Sequence, residues 1–103
     1  MAKIIYASGL FADVKPANGK WFTLEEKQRI VGGNIEIVPS REGNWLVVNE
    51  EGKLEGLPVN KEATLLYAYG VMTCEKGFTV HDVLAGDVLY CTEKELCKPE
   101  RYQ

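Results

Sequence analysis

Residues 31–66 read VGGNIEIVPSREGNWLVVNEEGKLEGLPVNKEATLL, and the fold class follows from their punctuation. Gly32-Gly33 is a helix stop, because glycine enters the left-handed C′ conformation without steric cost. Asn34–Pro39 then alternates Ile35 and Ile37 against Asn34 and Glu36, the period of a half-buried strand. Ser40–Asn44 is a polar loop, and Trp45–Asn49 is a β-rich return strand, so the pair is an antiparallel hairpin. Asn49-Glu50-Glu51-Gly52 is turn chemistry with glycine last, favouring type I. Lys53–Leu57 is expected as a third, weaker strand. Asn60 is placed to cap a second helix, expected through Tyr69 and ended by Gly70. Ala63, Leu66 and Tyr67 fall at i, i+3 and i+4 and form its buried stripe, with Leu65 and Tyr69 as an apolar line beside it.

Outward from this stretch the same grammar continues. Lys3–Ala7 is β-branched and aromatic, and is expected as a strand. Asp13-Val14-Lys15 is expected as a short one, and Ala17–Lys20 as a turn centred on Asn-Gly. Thr23-Leu24-Glu25-Glu26 is a capping box for a short first helix, with Leu24 and Val31 expected on one face. Phe22 before the cap offers only a weak staple against the Lys27 stem. Residues 71–81 are ambiguous, with a short strand expected around Phe78-Thr79-Val80. Asp87–Cys91 is a strand after Gly86, and Thr92–Glu95 is a second capping box, opening a last helix expected to end at Pro99. Strands and helices in this order predict one α+β domain over residues 1–103, with a mostly antiparallel sheet and about three short helices.

Composition narrows the functional classes. In 103 residues, apolar types make up 46% and charged types 26%, as in ordinary globular chains. A core of this size is thin, and a second copy of the chain is an expected cover, so a homo-oligomer is expected. Acidic residues outnumber basic ones 15 to 12, for a net charge of −3, and the cations form no run. Duplex nucleic acid, held mainly by clustered cations, is therefore not an expected partner. No stretch approaches the roughly 20 apolar residues of a membrane span, and no signal peptide is recognisable, so membrane partners are not expected. Three cysteines, without CxxC spacing, point to free thiols in a reducing cytoplasm, that of a bacterial host.

The phrases Val31-Gly32-Gly33, Glu50–Leu54 (EEGKL), Leu57–Asn60 (LP-x-N) and Asp82–Asp87 (D-x-x-x-G-D) resemble, in order, a phage and mobile-element family of small proteins of unknown function. The likeness covers about two-thirds of the chain; the section to Trp21 and residues 71–78 fit it less well. It implies an accessory protein of a virus or mobile element, and it implies no reaction.

The chemistry-bearing groups do not assemble into a catalytic motif. His81-Asp82 is the one histidine–carboxylate neighbour pair, yet adjacent residues on a strand point to opposite faces, and a loop histidine is the plainer reading. A small hydrolase using His81 with Asp82 or Asp87 is the enzymatic alternative. Cys74, His81, Cys91 and Cys97 have zinc stoichiometry, but gaps of six, nine and five residues are not knuckle spacing. Gly32-Gly33 follows a helix instead of opening one, so it is no phosphate loop. Glu50-Glu51 reads as a solvated turn. No cofactor or metal is implied.

What remains is a polar and aromatic set around the hairpin: Arg41, Trp45, Lys53, Asn60 and Lys61. A helix N-terminus with a nearby lysine suits a phosphate, and tryptophan offers a stacking face. The competing reading makes Trp45 core, Asn60 only a cap, and the cations solvated. The expected function is non-catalytic binding and sequestration of a nucleotide immune signal, countering host defence. The alternative is a protein–protein inhibitor or adaptor acting on a host enzyme.

Overall fold

The structure is a computed structural model and describes residues 2–68 and 83–97. Among these residues are five strands: β1 (Ala2–Ile5), β2 (Phe11–Val14), β3 (Ile35–Pro39), β4 (Trp45–Asn49) and β5 (Val88–Cys91). They form one antiparallel sheet in the order β2-β1-β5-β4-β3. Three helices among the described residues accompany them: α1 (Leu24–Val31), α2 (Lys61–Leu66) and α3 (Glu93–Leu96). The α+β class read from the sequence is the class observed.

Alternation along the strands divides the core into two layers. Ala2, Val47, Leu89 and Cys91 point to the face that carries Val31 of α1, Leu96 of α3 and the buried Phe22. Ile5, Val38, Leu46, Val48 and Val88 point to the other face, covered by Ala63 of α2 and by Leu84. The sheet is thus buried on both sides along its centre.

Local chemistry sets the helix ends. Thr23 Oγ1 accepts from the Glu26 amide at 3.2 Å, and Glu26 Oε1 accepts from the Thr23 amide at 2.7 Å. The other Glu26 oxygen accepts from the Ala17 amide at 2.8 Å and ties in the preceding turn. Gly32 ends α1 at φ 84°, a conformation that costs glycine nothing. Thr92 and Glu95 repeat the capping box on α3. Asn60 caps α2, as its position before the apolar stripe predicts.

Several expectations are corrected. The expected strand at Lys53–Leu57 is absent: residues 50–56 are a run of turns, because Gly52 bonds back to Asn49 and forward to Leu57, and Gly56 sits at φ 75°. Ile37 is 40% exposed despite its alternation, since β3 lies at the sheet edge, beyond full cover from α1. Leu24 is exposed at the first position of α1, where the buried residues are Lys27 and Val31. Phe22 is a fully buried core residue and not a peripheral staple. α2 ends at Leu66, because Tyr67 turns to extended backbone and Ser40 bridges to it; Leu65, expected as a second apolar line, is exposed. The expected strand at Phe78–Val80, Tyr69, Gly70, Cys74, the His81-Asp82 pair and Pro99 lie outside the described residues.

Candidate functional site

Asn60 is the most constrained of the five sequence-selected residues. Its side chain is fully buried. Oδ1 accepts from the Ala63 amide at 3.0 Å, and Nδ2 donates to the carbonyls of Ile5 and Gly86, both at 2.8 Å. Oδ1 therefore caps α2 while Nδ2 ties the helix start to β1 and to the entry of β5. Neighbouring Thr64 extends the lock: its hydroxyl donates to the Asn60 carbonyl at 2.7 Å and accepts from the Leu84 amide at 2.9 Å.

Arg41 lies at the opposite end of α2. Its amide donates to the Leu66 carbonyl at 2.7 Å, and Nε donates to the Leu65 carbonyl at 3.0 Å. A cation there complements the negative end of the helix dipole. Lys61 is exposed at the first position of α2. Arg41 and Lys61 consequently border one short helix from its two ends, with exposed Leu65 on the same helix.

Trp45 and Lys53 are placed elsewhere. Trp45 is half-buried against the α1 layer, across the sheet from α2. Lys53 belongs to the turns after β4 and borders a small cavity of about 140 Å³ with Glu36, Glu50 and Tyr67. The five residues thus do not line one pocket; Arg41, from the β3–β4 loop, and Lys61 sit at opposite ends of α2, and Asn60 caps its start.

A polar cluster that sequence reading missed closes the β3–β4 loop. Tyr90 donates its hydroxyl to Glu42 Oε1 in a short hydrogen bond, and accepts from Asn44 Nδ2 at 3.0 Å. Ser40 Oγ accepts from the amides of Glu42 and Asn44. Burial first, and the Glu42 carboxylate second, push the Tyr90 hydroxyl above its usual range. Only Ser40-Arg41-Glu42-Gly43-Asn44, a loop-forming composition, signals this cluster; Tyr90 is 46 positions from Asn44.

Cys91 is a core thiol. Burial, followed by the Glu95 charge, pushes it up to about 12, with Lys27 opposing. Lys27 itself is buried and donates Nζ to the Leu96 carbonyl at 2.7 Å, closing the end of α3. Among the described residues no group of three His, Cys, Asp or Glu side chains is placed to hold a metal ion, and no helix is long and apolar enough to cross a membrane.

Among the described residues the sheet has two outer edges. In β3, Asn34 and Ser40 pair inward with Glu50 and Asn44, so the alternate residues Ile35 and Ile37 turn their backbone N–H and C=O groups outward. Pro39 occupies the next outward position, where its missing N–H breaks no sheet bond. Its carbonyl accepts from the Ala68 amide at 3.0 Å, so the chain after α2 covers that end of the edge. In β2, Leu10 pairs inward with Tyr6, so Phe11 and Asp13 turn outward.

Residues 8–100 match the model of a protein family described as "Domain of unknown function (DUF3846)". No curated protein and no solved structure matches the chain.

Proposed function

This chain belongs to the DUF3846 family of unknown function, and from that premise we propose that it is a non-catalytic binding protein that engages a protein partner by strand addition at β3. The carrying observation is the outward ladder at Ile35 and Ile37, with Ile37 40% exposed on an edge strand. An extended segment laid along such an edge gains main-chain hydrogen bonds, and alternate side chains supply selectivity. Neither displaced titration marks an activated nucleophile or base. A thiol held near 12 is a poor nucleophile at neutral pH, and a tyrosine held above its usual range is a donor and not a base. The setting we assign, a phage or mobile-element protein blocking a host defence enzyme, is supported by the resemblance of the phrases between Val31 and Asp87.

The test is retention of one stoichiometric host protein by the purified chain, compared with the Ile37→Pro variant. Proline at 37 removes an outward N–H and no bond to β4, so the fold is kept while the edge is blocked. Equal retention by the variant would refute the β3 mode.

A second reading, sequestration of a nucleotide immune signal, is favoured by one observation: exposed Arg41 and Lys61 at the two ends of α2, with Leu65 between. A thermal-shift screen with cyclic di- and trinucleotides and ADP-ribose derivatives tests it. A ligand at a hundred times its Kd adds about 2.7 kcal/mol to stability. The shift is expected to shrink in high salt and in Lys61→Ala; a flat panel would refute this reading.

A further inference from the structure

The opposite edge of the sheet carries a different partner. Among the described residues, strand β2 has little cover beyond Val14, which packs against the layer of Phe22: α1 packs on β3, β4 and β5, and α2 lies over Ile5, Val88 and the strands beyond. Leu10 is 68% exposed and Phe11 49% exposed. Phe11 and Asp13 present outward N–H and C=O groups along this edge. An apolar edge strand with an open ladder is a template for another strand.

We propose that β2 pairs antiparallel with β2 of a second copy of this chain, joining two sheets into one across a two-fold axis at Ala12. The residues select the register. Outward residues must face outward residues, which leaves three close alternatives. Pairing Asp13 with itself would set like charges directly opposite, which is destabilising. Pairing Phe11 with itself would bring Asp13 against Gly9, whose φ of 98° lies outside strand geometry. Pairing Phe11 with Asp13 avoids both.

In that register Leu10 lies opposite Val14 and Ala12 opposite Ala12, an apolar set on one face. On the other face, Lys3 Nζ sits 5.4 Å from the Phe11 ring centre. Each Asp13 therefore meets an aromatic ring already carrying a cation, so the two copies are charge-complementary. Each Phe11–Asp13 pair exchanges two main-chain hydrogen bonds, and the apolar edge leaves solvent. The isologous contact closes at two copies, so no fibre follows. Both β3 edges stay at the far ends of the joined sheet, and the pairing does not depend on what β3 binds.

The test uses the full chain. Sedimentation equilibrium at tens of micromolar is expected to give twice the 11.5 kDa chain mass. Asp13→Pro, which removes an outward N–H and no bond to β1, is expected to give the single chain mass with an unchanged far-ultraviolet spectrum. Ala12→Cys, in a background with Cys74 and Cys97 replaced by serine, is expected to form a covalent dimer on mild oxidation. The Ala12 positions are a non-hydrogen-bonded pair, about 4.5 Å between Cα atoms, within disulfide range. Phe11→Cys in the same background is not expected to link. A monomer at every concentration would overturn the proposal. So would a dimer that survives Asp13→Pro and shows no Ala12→Cys link. Host-protein retention through β3 is read separately, and its loss would leave this result standing.

Discussion

Asn60→Ala tests the lock at the centre of the fold. The side chain is fully buried and makes three hydrogen bonds of 2.8 to 3.0 Å, one to the helix it caps and two to distant carbonyls. Losing an N-cap costs about 1 kcal/mol. Losing each buried bond to Ile5 and Gly86 costs about 1 kcal/mol more. The sum is about 3 kcal/mol, a large part of the 5–15 kcal/mol typical of a small domain. With a urea m-value of about 1.5 kcal/mol/M, the unfolding midpoint is expected to fall by about 2 M. Asn60→Asp sharpens the test, because it keeps Oδ1 for the cap but turns a carboxylate oxygen toward two carbonyls. At pH 7 it is expected to be at least as damaging as alanine. Burial beside acceptors raises the folded pKa of that aspartate above its unfolded value, so the folded state binds the extra proton. The variant's stability relative to the parent is therefore expected to recover as pH falls. A midpoint change under about 0.5 M for Asn60→Ala, or an Asn60→Asp defect that ignores pH, would refute the latch.

Other outcomes follow from the same geometry. Cys97 is exposed and is expected to react with a thiol reagent at pH 8 in the folded protein, whereas Cys91, buried and pushed up to about 12, reacts only after urea is added; mass spectrometry of the two peptides decides this. The Thr23 amide first, and the Ala17 amide second, hold the Glu26 carboxyl below its ordinary value of 4.5. Its contribution is present above that value and is lost as pH falls through the lowered one, so Glu26→Gln is expected to flatten the acid limb of a stability–pH curve. Gly86→Ala is expected to destabilise by about 1–3 kcal/mol in urea melts, the cost of strained backbone: Gly86 is at φ 85°, and an added Cβ would sit 2.8 Å from Leu57 Cδ1.

How much of this was legible in the sequence depended on the distance between cause and effect. Both capping boxes, the Gly32 stop and the β3–β4 hairpin rest on partners a few residues apart, and local pattern was enough. Ile37 was misplaced because alternation reports a strand's two faces and not its position in the sheet. Leu54 and Leu57 carry a strand-like pattern, but Gly52 and the left-handed Gly56 fold the segment into turns. Asn60 was legible as a cap, but its two bonds reach 55 and 26 residues away. The Tyr90–Glu42–Asn44 cluster was invisible for the same reason. The five proposed ligand residues looked like neighbours because three of them bracket the hairpin; pleating and turn geometry separate Trp45 and Lys53 from α2.

The place of β5 in the sheet bears on how the protein is made. The N-terminal portion to α2 contains two hairpins, β1–β2 and β3–β4, with no strand to join them. Their inner edges stay bare until β5 leaves the ribosome and slides between β1 and β4. The sheet therefore cannot be completed before β5 is made, and long-range strand closure of this kind is slow and aggregation-exposed. The converse is useful: a chain divided between α2 and β5 should reassemble from its two fragments, the smaller supplying the strand that both hairpins lack.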